Sequence, residues 1–414
     1  MSIRHIVSSL RRNRLMPLLV ILQVAIACAI LCNAFFLLYQ RLTPMLVPAG
    51  VAPGQVIEVD QITANGRFWS RGEIQSAALA LQAIPGVLHA TPAMGIPMSS
   101  SMRMTAMLEN KDGVTVAVDG YLGEGLIDAL GLDLVAGRDF LPGEYHDAGM
   151  GVDAGKQHGT QHPIIITQAL ADKLFPDGNA LGKRLKDPGS TGGDERLVIG
   201  VVRHLMRYQL SDALDGKAEY SILVPGRIAG ASILSFVVRT DADRRDQVLK
   251  AIPTVLKAQL GHDLMPGIDM TATTFESLRD DAFSSWRAAV WLLGTVCLVV
   301  VIVTAVGIMG LTGYWVQQRT RQVGIRRALG AGRGDILRYF QLENLLIVTV
   351  GVIVGMLFAY GINLYLMSYY ELERLSWVYL PIGALVLWAL GQLAVLGPAL
   401  RAAAVPPVVA TRSV

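Results

Sequence analysis

The sequence predicts an α-helical membrane protein with four transmembrane helices and one large α+β extracytoplasmic domain between the first and second of them. Four stretches free of Asp, Glu, Lys and Arg carry most of that prediction. They are bounded by Arg14 and Arg41, Arg287 and Arg319, Glu343 and Glu371, and Arg374 and Arg401. Each exceeds the roughly 20 helical residues that cross about 30 Å of hydrocarbon, whereas buried core helices seldom stay charge-free beyond about 14. The apolar residues, 52% of the chain, concentrate in these blocks, while residues 41–286 have the composition of a globular domain. The third observation is charge placement. Arg4, Arg11, Arg12 and Arg14 precede the first stretch, and Arg319, Arg321, Arg326, Arg327, Arg333 and Arg338 lie between the second and third. By the positive-inside rule both segments are cytoplasmic, as is the tail with Arg401 and Arg412, and residues 41–286 fall outside.

Residues 1–40 hold an N-terminal cytoplasmic helix and the first transmembrane helix. Ile3, Ile6, Val7 and Leu10 form an apolar stripe beside Arg4, Arg11 and Arg12, the pattern of a short helix on the membrane surface. The following apolar run continues through Phe35, Phe36, Leu37 and Leu38, too far for the h-region of a cleaved signal peptide, and reads as an uncleaved anchor. Cys28, Cys32 and Cys297 all lie within predicted spans, so no disulfide holds the soluble domain.

Within that domain, 55–62 alternates as a strand, and 71–84 places Ile74, Ala78, Leu81 and Ile84 on one helical face before Pro85 and Gly86. Strands follow at 102–108 and 114–118. Far along the chain come a strand at 233–239, a helix over 243–260 with Val248, Ile252, Val255, Leu256 and Leu260 as its apolar positions, and a strand near 268–273. Two strand-helix-strand units separated in sequence suggest one α+β lobe of split βαβ type. The insertion, 119–230, has a helix ending near Gly131, strands at 163–166, 197–202 and 220–224, and a helix over 169–175; 149–162 reads as a loop.

Catalytic and metal chemistry is sparse. A phosphate-binding loop needs GxxxxGK[ST], and the Gly-Lys pairs Gly155-Lys156 and Gly182-Lys183 are followed by Gln157 and Arg184. His158 and His162 have metal-ligand spacing, but Gly159 and Pro163 oppose the helix that would align them, so no metal site is expected. No GxSxG elbow or HExxH motif is present.

The most informative stretch is 317–343. Ile325, Ala328 and Leu329 form one apolar edge and Ile336, Leu337 and Phe340 another, with Gly330, Gly332 and Gly334 expected to break the helix between them. A basic amphipathic helix on the cytoplasmic side suits anionic membrane lipids or a groove on a soluble partner, and charge alone does not choose.

Here the residues resemble a known family. RQVGIRRALGA at 321–331, DIL at 335–337 and Glu343 are similar to the signature of the MacB/FtsX-like ABC transporter permeases. LVAGRDF at 134–140, IIIT at 164–167, LADKLFP at 170–176 and ALGKR at 180–184 resemble that family's periplasmic core domain, and GPALRA at 397–402 with Pro406 and Pro407 its C-terminal ending. The resemblance implies a Porter-like lobe (45–118 and 231–280) and an inserted Sabre-like lobe (119–230) within the periplasmic domain 41–286. It also implies an FtsX-like domain, 287–414, with transmembrane helices 288–316, 344–370 and 375–400 and a cytoplasmic coupling loop 317–343. Arg319, Arg321, Gly324, Ile325, Arg326, Arg327, Leu329 and Gly330 are the candidate ATPase-coupling residues. The implied partners are a separate cytoplasmic ABC ATPase that binds ATP and Mg, and a second permease in a homodimer or heterodimer. A periplasmic adaptor with an outer-membrane channel and membrane lipids complete the set, with no nucleic acid.

The expected function is that of an inner-membrane permease subunit without its own ATP site, driving efflux or export by mechanotransmission. The alternative is a signalling or regulatory permease acting on a cell-wall hydrolase or sensor kinase. Gln318 and Gln322 stand where the family often has acids, which makes this helix more basic and leaves a heterodimer open. Gly307, Gly310 and Gly313 in the second span, and Gly351 and Gly355 in the third, are expected to admit close helix packing.

Overall fold

A computed structural model of the protein describes residues 15–99, 103–148, 162–188, 195–208, 214–370 and 377–404. The N-terminal surface helix, Gly155-Lys156, His158, Pro406, Pro407 and Arg412 lie outside these residues. The chain forms two compact units, Thr43–Ser285 and the pair of segments Met1–Leu42 with Trp286–Val414.

The helices are α1 (Leu15–Leu46), α2 (Arg71–Gln82), α3 (Leu126–Leu130), α4 (Gln168–Leu174), α5 (Arg245–Leu260), α6 (Phe275–Ala282), α7 (Ser284–Gln318), α8 (Thr320–Ala328), α9 (Arg333–Tyr370) and α10 (Tyr379–Ala404). The strands are β1 (Val56–Thr63), β2 (Val87–Met94), β3 (Met104–Glu109), β4 (Thr115–Gly123), β5 (Leu134–Gly137), β6 (His146–Ala148), β7 (His162–Thr167), β8 (Arg184–Lys186), β9 (Glu195–Val202), β10 (Ser221–Ile228), β11 (Ile233–Thr240) and β12 (Thr271–Thr274).

In the first unit, β12, β1, β11 and β2 pair antiparallel in that order. Two strand-helix-strand halves interleaved in this way make a split βαβ arrangement. α2 starts where Ser70 and Glu73 satisfy each other's backbone, with Ser70 N–H donating to Glu73 Oε2 at 2.8 Å. Its apolar face, Ile74, Ala77, Ala78 and Leu81, packs with Val248, Ile252, Leu256 and Leu260 of α5 onto Ile57, Val59, Phe236 and Val238. The last strand begins later than the sequence suggests, at Thr271, because Ile268 lies in the preceding turn and is exposed.

The insertion closes on itself. β4, β3, β8, β9, β7 and β10 pair in that order, and β10 returns in parallel to β4 from Ser221↔Asp119 to Pro225↔Gly123. Six strands therefore form a ring, which removes the free edges of an open sheet. Leu108, Val118, Ile164, Ile166, Val198 and Ile222 belong to its core. β3 and β4, which sequence reasoning grouped with the first lobe, take their partners from this ring. They join the first sheet only where β2 meets β4 at Ala93↔Gly123 and Met94↔Leu122.

The second unit holds helices long and apolar enough to span a membrane at Leu15–Leu46, Ser284–Gln318, Arg333–Tyr365 and Tyr379–Arg401. The layout is that of a multi-pass inner-membrane protein with a large periplasmic α+β domain. α1 buries a stripe of Val20, Val24, Cys28, Leu31 and Cys32. Glycines admit it: a Cβ at Gly351 would lie 2.8 Å from Val24 Cβ, and one at Gly355 2.5 Å from Cys28 Cβ. A Cβ at Gly307 would likewise strike the Gln23 side chain. Gly310 and Gly313 are different, since a Cβ at either would meet nothing within 4 Å, so the expected close packing does not arise there within this chain. These two glycines lie on a helix whose apolar stretch is largely exposed, with Leu298, Ile302, Val303, Val306 and Met309 uncovered.

Candidate functional site

The segment that joins α7 to α9 folds as one short helix between two firm stops. α7 ends at Gln318, and Arg319 occupies the N-cap position of α8 with φ −103° and ψ 6°. At the other end Gly330 N–H donates to Arg327 O and Ala331 N–H to Arg326 O, both at 3.1 Å. Those two bonds form a Schellman stop, whose left-handed residue is Gly330 with φ +97°. α9 then starts at once. Asp335 Oδ2 accepts from Gly332 N–H at 3.0 Å, which caps the helix and sets a negative charge against its N-terminal dipole. Gly334, expected to be a breaker, is instead the second residue of α9, because one left-handed glycine and one capping carboxylate already make the turn.

Arg319 is the centre of the arrangement. Its Nη1 donates to Glu343 Oε1 at 2.9 Å, to Glu343 Oε2 at 3.2 Å and to Tyr339 OH at 3.3 Å. Its guanidinium also lies 4.5 Å from the ring centre of Trp315. The two charged side chains are 11% and 3% exposed, so the pair sits in a low dielectric and is bonded on several sides. Thus Trp315 of α7, the cap of α8 and Tyr339 and Glu343 of α9 are tied at one point.

Farther along, Arg326 stacks over Tyr339 with 4.8 Å to the ring centre, and Val323 is buried in the core that contains Ile336 and Phe340. A cleft of ≈ 390 Å³ remains beside them, lined by Gln322, Arg326, Leu329, Asp335, Tyr339 and Phe340 among others. Below the joint, Asn344 Nδ2 donates to Gly391 O of α10 at 3.0 Å, which fixes α9 against its neighbour.

The sequence-derived residues therefore divide. Gly324 is buried, Arg327 is half-buried, and Arg319 faces inward. Ile325, Arg326, Leu329 and Gly330 are exposed, Leu329 to 83%, and Arg321 is carried on the same helix. Sequence reasoning left Glu343 without a role and did not anticipate Trp315 or Tyr339. The available signal was one acidic residue at the head of an apolar run, with an arginine closing the previous run. Among the described residues no three His, Cys, Asp or Glu side chains gather as a metal site. His162, at the start of β7, stacks edge-on with His146 at 6.4 Å between ring centres.

Residues 294–407, which contain all of this geometry, match the family described as FtsX-like permease C-terminal. At the family level this chain matches the MacB/FtsX-like ABC transporter permeases. It is 29% identical over 230 residues to the macrolide export ATP-binding/permease protein MacB of Chromobacterium violaceum, covering 55% of this chain and 34% of that protein. With the macrolide export ATP-binding/permease protein MacB 1/2 of Paracoccus denitrificans it shares 28% identity over 357 residues, 83% of this chain and 48% of that one. The chain thus spans half or less of the length of these MacB relatives. Among solved structures, the periplasmic region of MacB from Actinobacillus actinomycetemcomitans aligns at 16% identity with a TM-score of 0.35, over 57% of this chain and 96% of that one.

Proposed function

We propose that this chain is the permease subunit of a MacB-type ABC transporter, which couples ATP hydrolysis by a separate ATPase to conformational change in the periplasmic domain and so drives efflux or export. On this reading the split βαβ sheet with α2 and α5 is the Porter-like lobe and the six-stranded ring the Sabre-like lobe. ATP and Mg are held by the ATPase, and a second permease completes the assembly. A periplasmic adaptor with an outer-membrane channel extends it.

The observation that carries the reading is the two-sidedness of α8. Its inner side is bound to α9 through Val323 and through the Arg326 ring contact, and its N-cap through the Arg319–Glu343 pair. Ile325 and Leu329 remain outside these contacts, exposed. An exposed apolar edge on a basic helix is suited to a groove on a soluble partner. Because α8 is short and fixed to the first three turns of α9, a push on it displaces α9 rather than bending a loop. α9 in turn receives α1 in the notches at Gly351 and Gly355, and α1 leads along the chain into the periplasmic domain.

The test is co-purification of the cognate ATPase with the full chain before and after Ile325→Asp and Arg326→Glu. Loss of the ATPase from both variants, with the permease still folded, is the expected result. Undiminished binding would overturn the assignment of α8 as the coupling element.

A further inference from the structure

Glu58 and Asp60 lie two residues apart on β1, and so project from the same face of the sheet, opposite the core residues Ile57 and Val59. Both are buried, at 4% and 9% exposure, and Glu58 Oε1 and Asp60 Oδ1 have no hydrogen-bond partner. Ser235 of β11 shares that face. Glu58 pairs with Val237, and Ser235, two residues before Val237, meets the ladder where the register slips between Val59 and Ile62, alongside Asp60. Ser235 is 1% exposed, and its Oγ also lacks a partner. Three buried oxygen atoms without a hydrogen-bond partner, from two adjacent strands, thus share one face of the sheet. The Ser99 side chain adds a hydrogen bond to Glu58. On the other flank, β12 sets Thr273 opposite Glu58 and Thr271 opposite Asp60.

Among the described residues no Lys, Arg or His forms an ion pair with either carboxylate. The cation on the same face of β11 is Arg239, whose Nε donates to Gln55 Oε1 at 2.9 Å and whose Nη1 donates to Asp128 O at 3.0 Å. A carboxylate in this position is costly unless something neutralises it. Burial accordingly pushes the Glu58 carboxyl up to about 7, with the Ser99 hydrogen bond opposing the shift and the charge of Asp60 adding to it.

We propose that Glu58, Asp60 and Ser235 form a binding site for a divalent cation of the calcium class, on the buried face of the β12-β1-β11-β2 sheet. Two carboxylates cancel the charge of a divalent ion. All the donors are hard oxygens, and the hydroxyls of Ser235 and Ser99 supply neutral ligands. Calcium accepts irregular oxygen cages of this kind, whereas magnesium demands a near-octahedral shell and keeps several waters, which a closed face does not accommodate. The bound ion would join the two central strands of the lobe to the segment that carries Ser99.

The experiment uses the full chain in detergent, stripped with EDTA and held at pH 7.5. Thermal unfolding is followed while CaCl2 or MgCl2 is added, and bound metal is counted after desalting. The expected result is a saturable rise in Tm with calcium, a weaker one with magnesium, and one calcium per chain. Glu58→Gln and Asp60→Asn should each abolish the calcium-dependent rise, and Ser235→Ala should weaken affinity by about tenfold, the effect of losing one neutral ligand bond. Both carboxamide variants remove buried charge, so they are expected to fold. A wild-type Tm that responds to pH but not to millimolar calcium would overturn the proposal in favour of protonation alone. A calcium response that survives in the Glu58→Gln, Asp60→Asn double variant would overturn it equally.

Discussion

Glu343 and Glu58 are almost equally buried, at 2% and 4% exposure, yet they meet opposite surroundings. Glu343 receives Arg319 on both carboxylate oxygens, and the arginine is covered in turn by Trp315 and Tyr339. Glu58 has a second carboxylate beside it, one serine bond and one oxygen with no partner. The first site is internally complete, and its charges cancel within the chain. The second is incomplete, and needs a proton or an ion from solution. A complete pair suits a joint that must hold its shape while a force passes through it. An incomplete one suits a place where the solution conditions enter the stability of the fold.

The comparison breaks most sharply at the complete site. Arg319→Ala leaves Glu343 buried and uncompensated, and should cost about 3–5 kcal/mol of stability, read as a fall in the unfolding midpoint of the full chain in detergent. Replacing both partners, Arg319→Met with Glu343→Leu, should cost much less than either single change, because the penalty comes mainly from the orphaned charge. If the single and double variants unfold alike, the pair is not the joint.

At the incomplete site the effect should be smaller and pH-dependent. The folded-state pKa of Glu58 is raised, so the native state holds the proton more tightly than the unfolded chain does. Its contribution is fully present below the ordinary glutamate value and is lost as pH rises towards about 7. In EDTA, the wild type should lose on the order of 3 kcal/mol across that window relative to Glu58→Gln. Unfolding midpoints of the two proteins between pH 4.5 and pH 8 should therefore converge at the acid end and separate towards neutrality, with the variant the more stable. Parallel curves would show that Glu58 does not titrate with folding.

The same contrast separates what the sequence revealed from what it hid. Charge-free length located the four long apolar helices, and periodicity located β1, α2, α5 and the α8 segment, because each repeats its apolar positions over enough residues to count. It missed β2, where Val87–Met94 mixes His89, Thr91 and Pro92 into the strand, and β5, β6 and β8, which span three or four residues and carry no period. Alternation in β1 should have put Glu58 and Asp60 in solvent. Both are buried instead, and Ser99, remote in sequence, bonds to Glu58 on that face. Arg319 looked like one more basic residue of an exposed helix. Its partner lies 24 positions away on another helix, and only the fold brings the two together. Local chemistry was legible, whereas charge pairing across elements was not.

The smallest effect sharpens the comparison from the backbone side. If the joint at Arg319 is electrostatic, the other end of α8 should tolerate change better, since it rests on one left-handed residue and two hydrogen bonds. A Cβ at Gly330 meets no atom within 4 Å, so Gly330→Ala introduces only the strain of φ +97°. That strain is worth about 1–2 kcal/mol for an ordinary residue and less for asparagine. Hydrogen exchange of the full chain should therefore quicken at the amides of Gly330 and Ala331 in Gly330→Ala, and less in Gly330→Asn. The unfolding midpoint should move far less than in Arg319→Ala. If Gly330→Ala instead destabilises the chain as much as Arg319→Ala, the stop at Gly330 holds α8 as firmly as the buried pair does. The division between a complete electrostatic joint and a yielding backbone end would then be wrong.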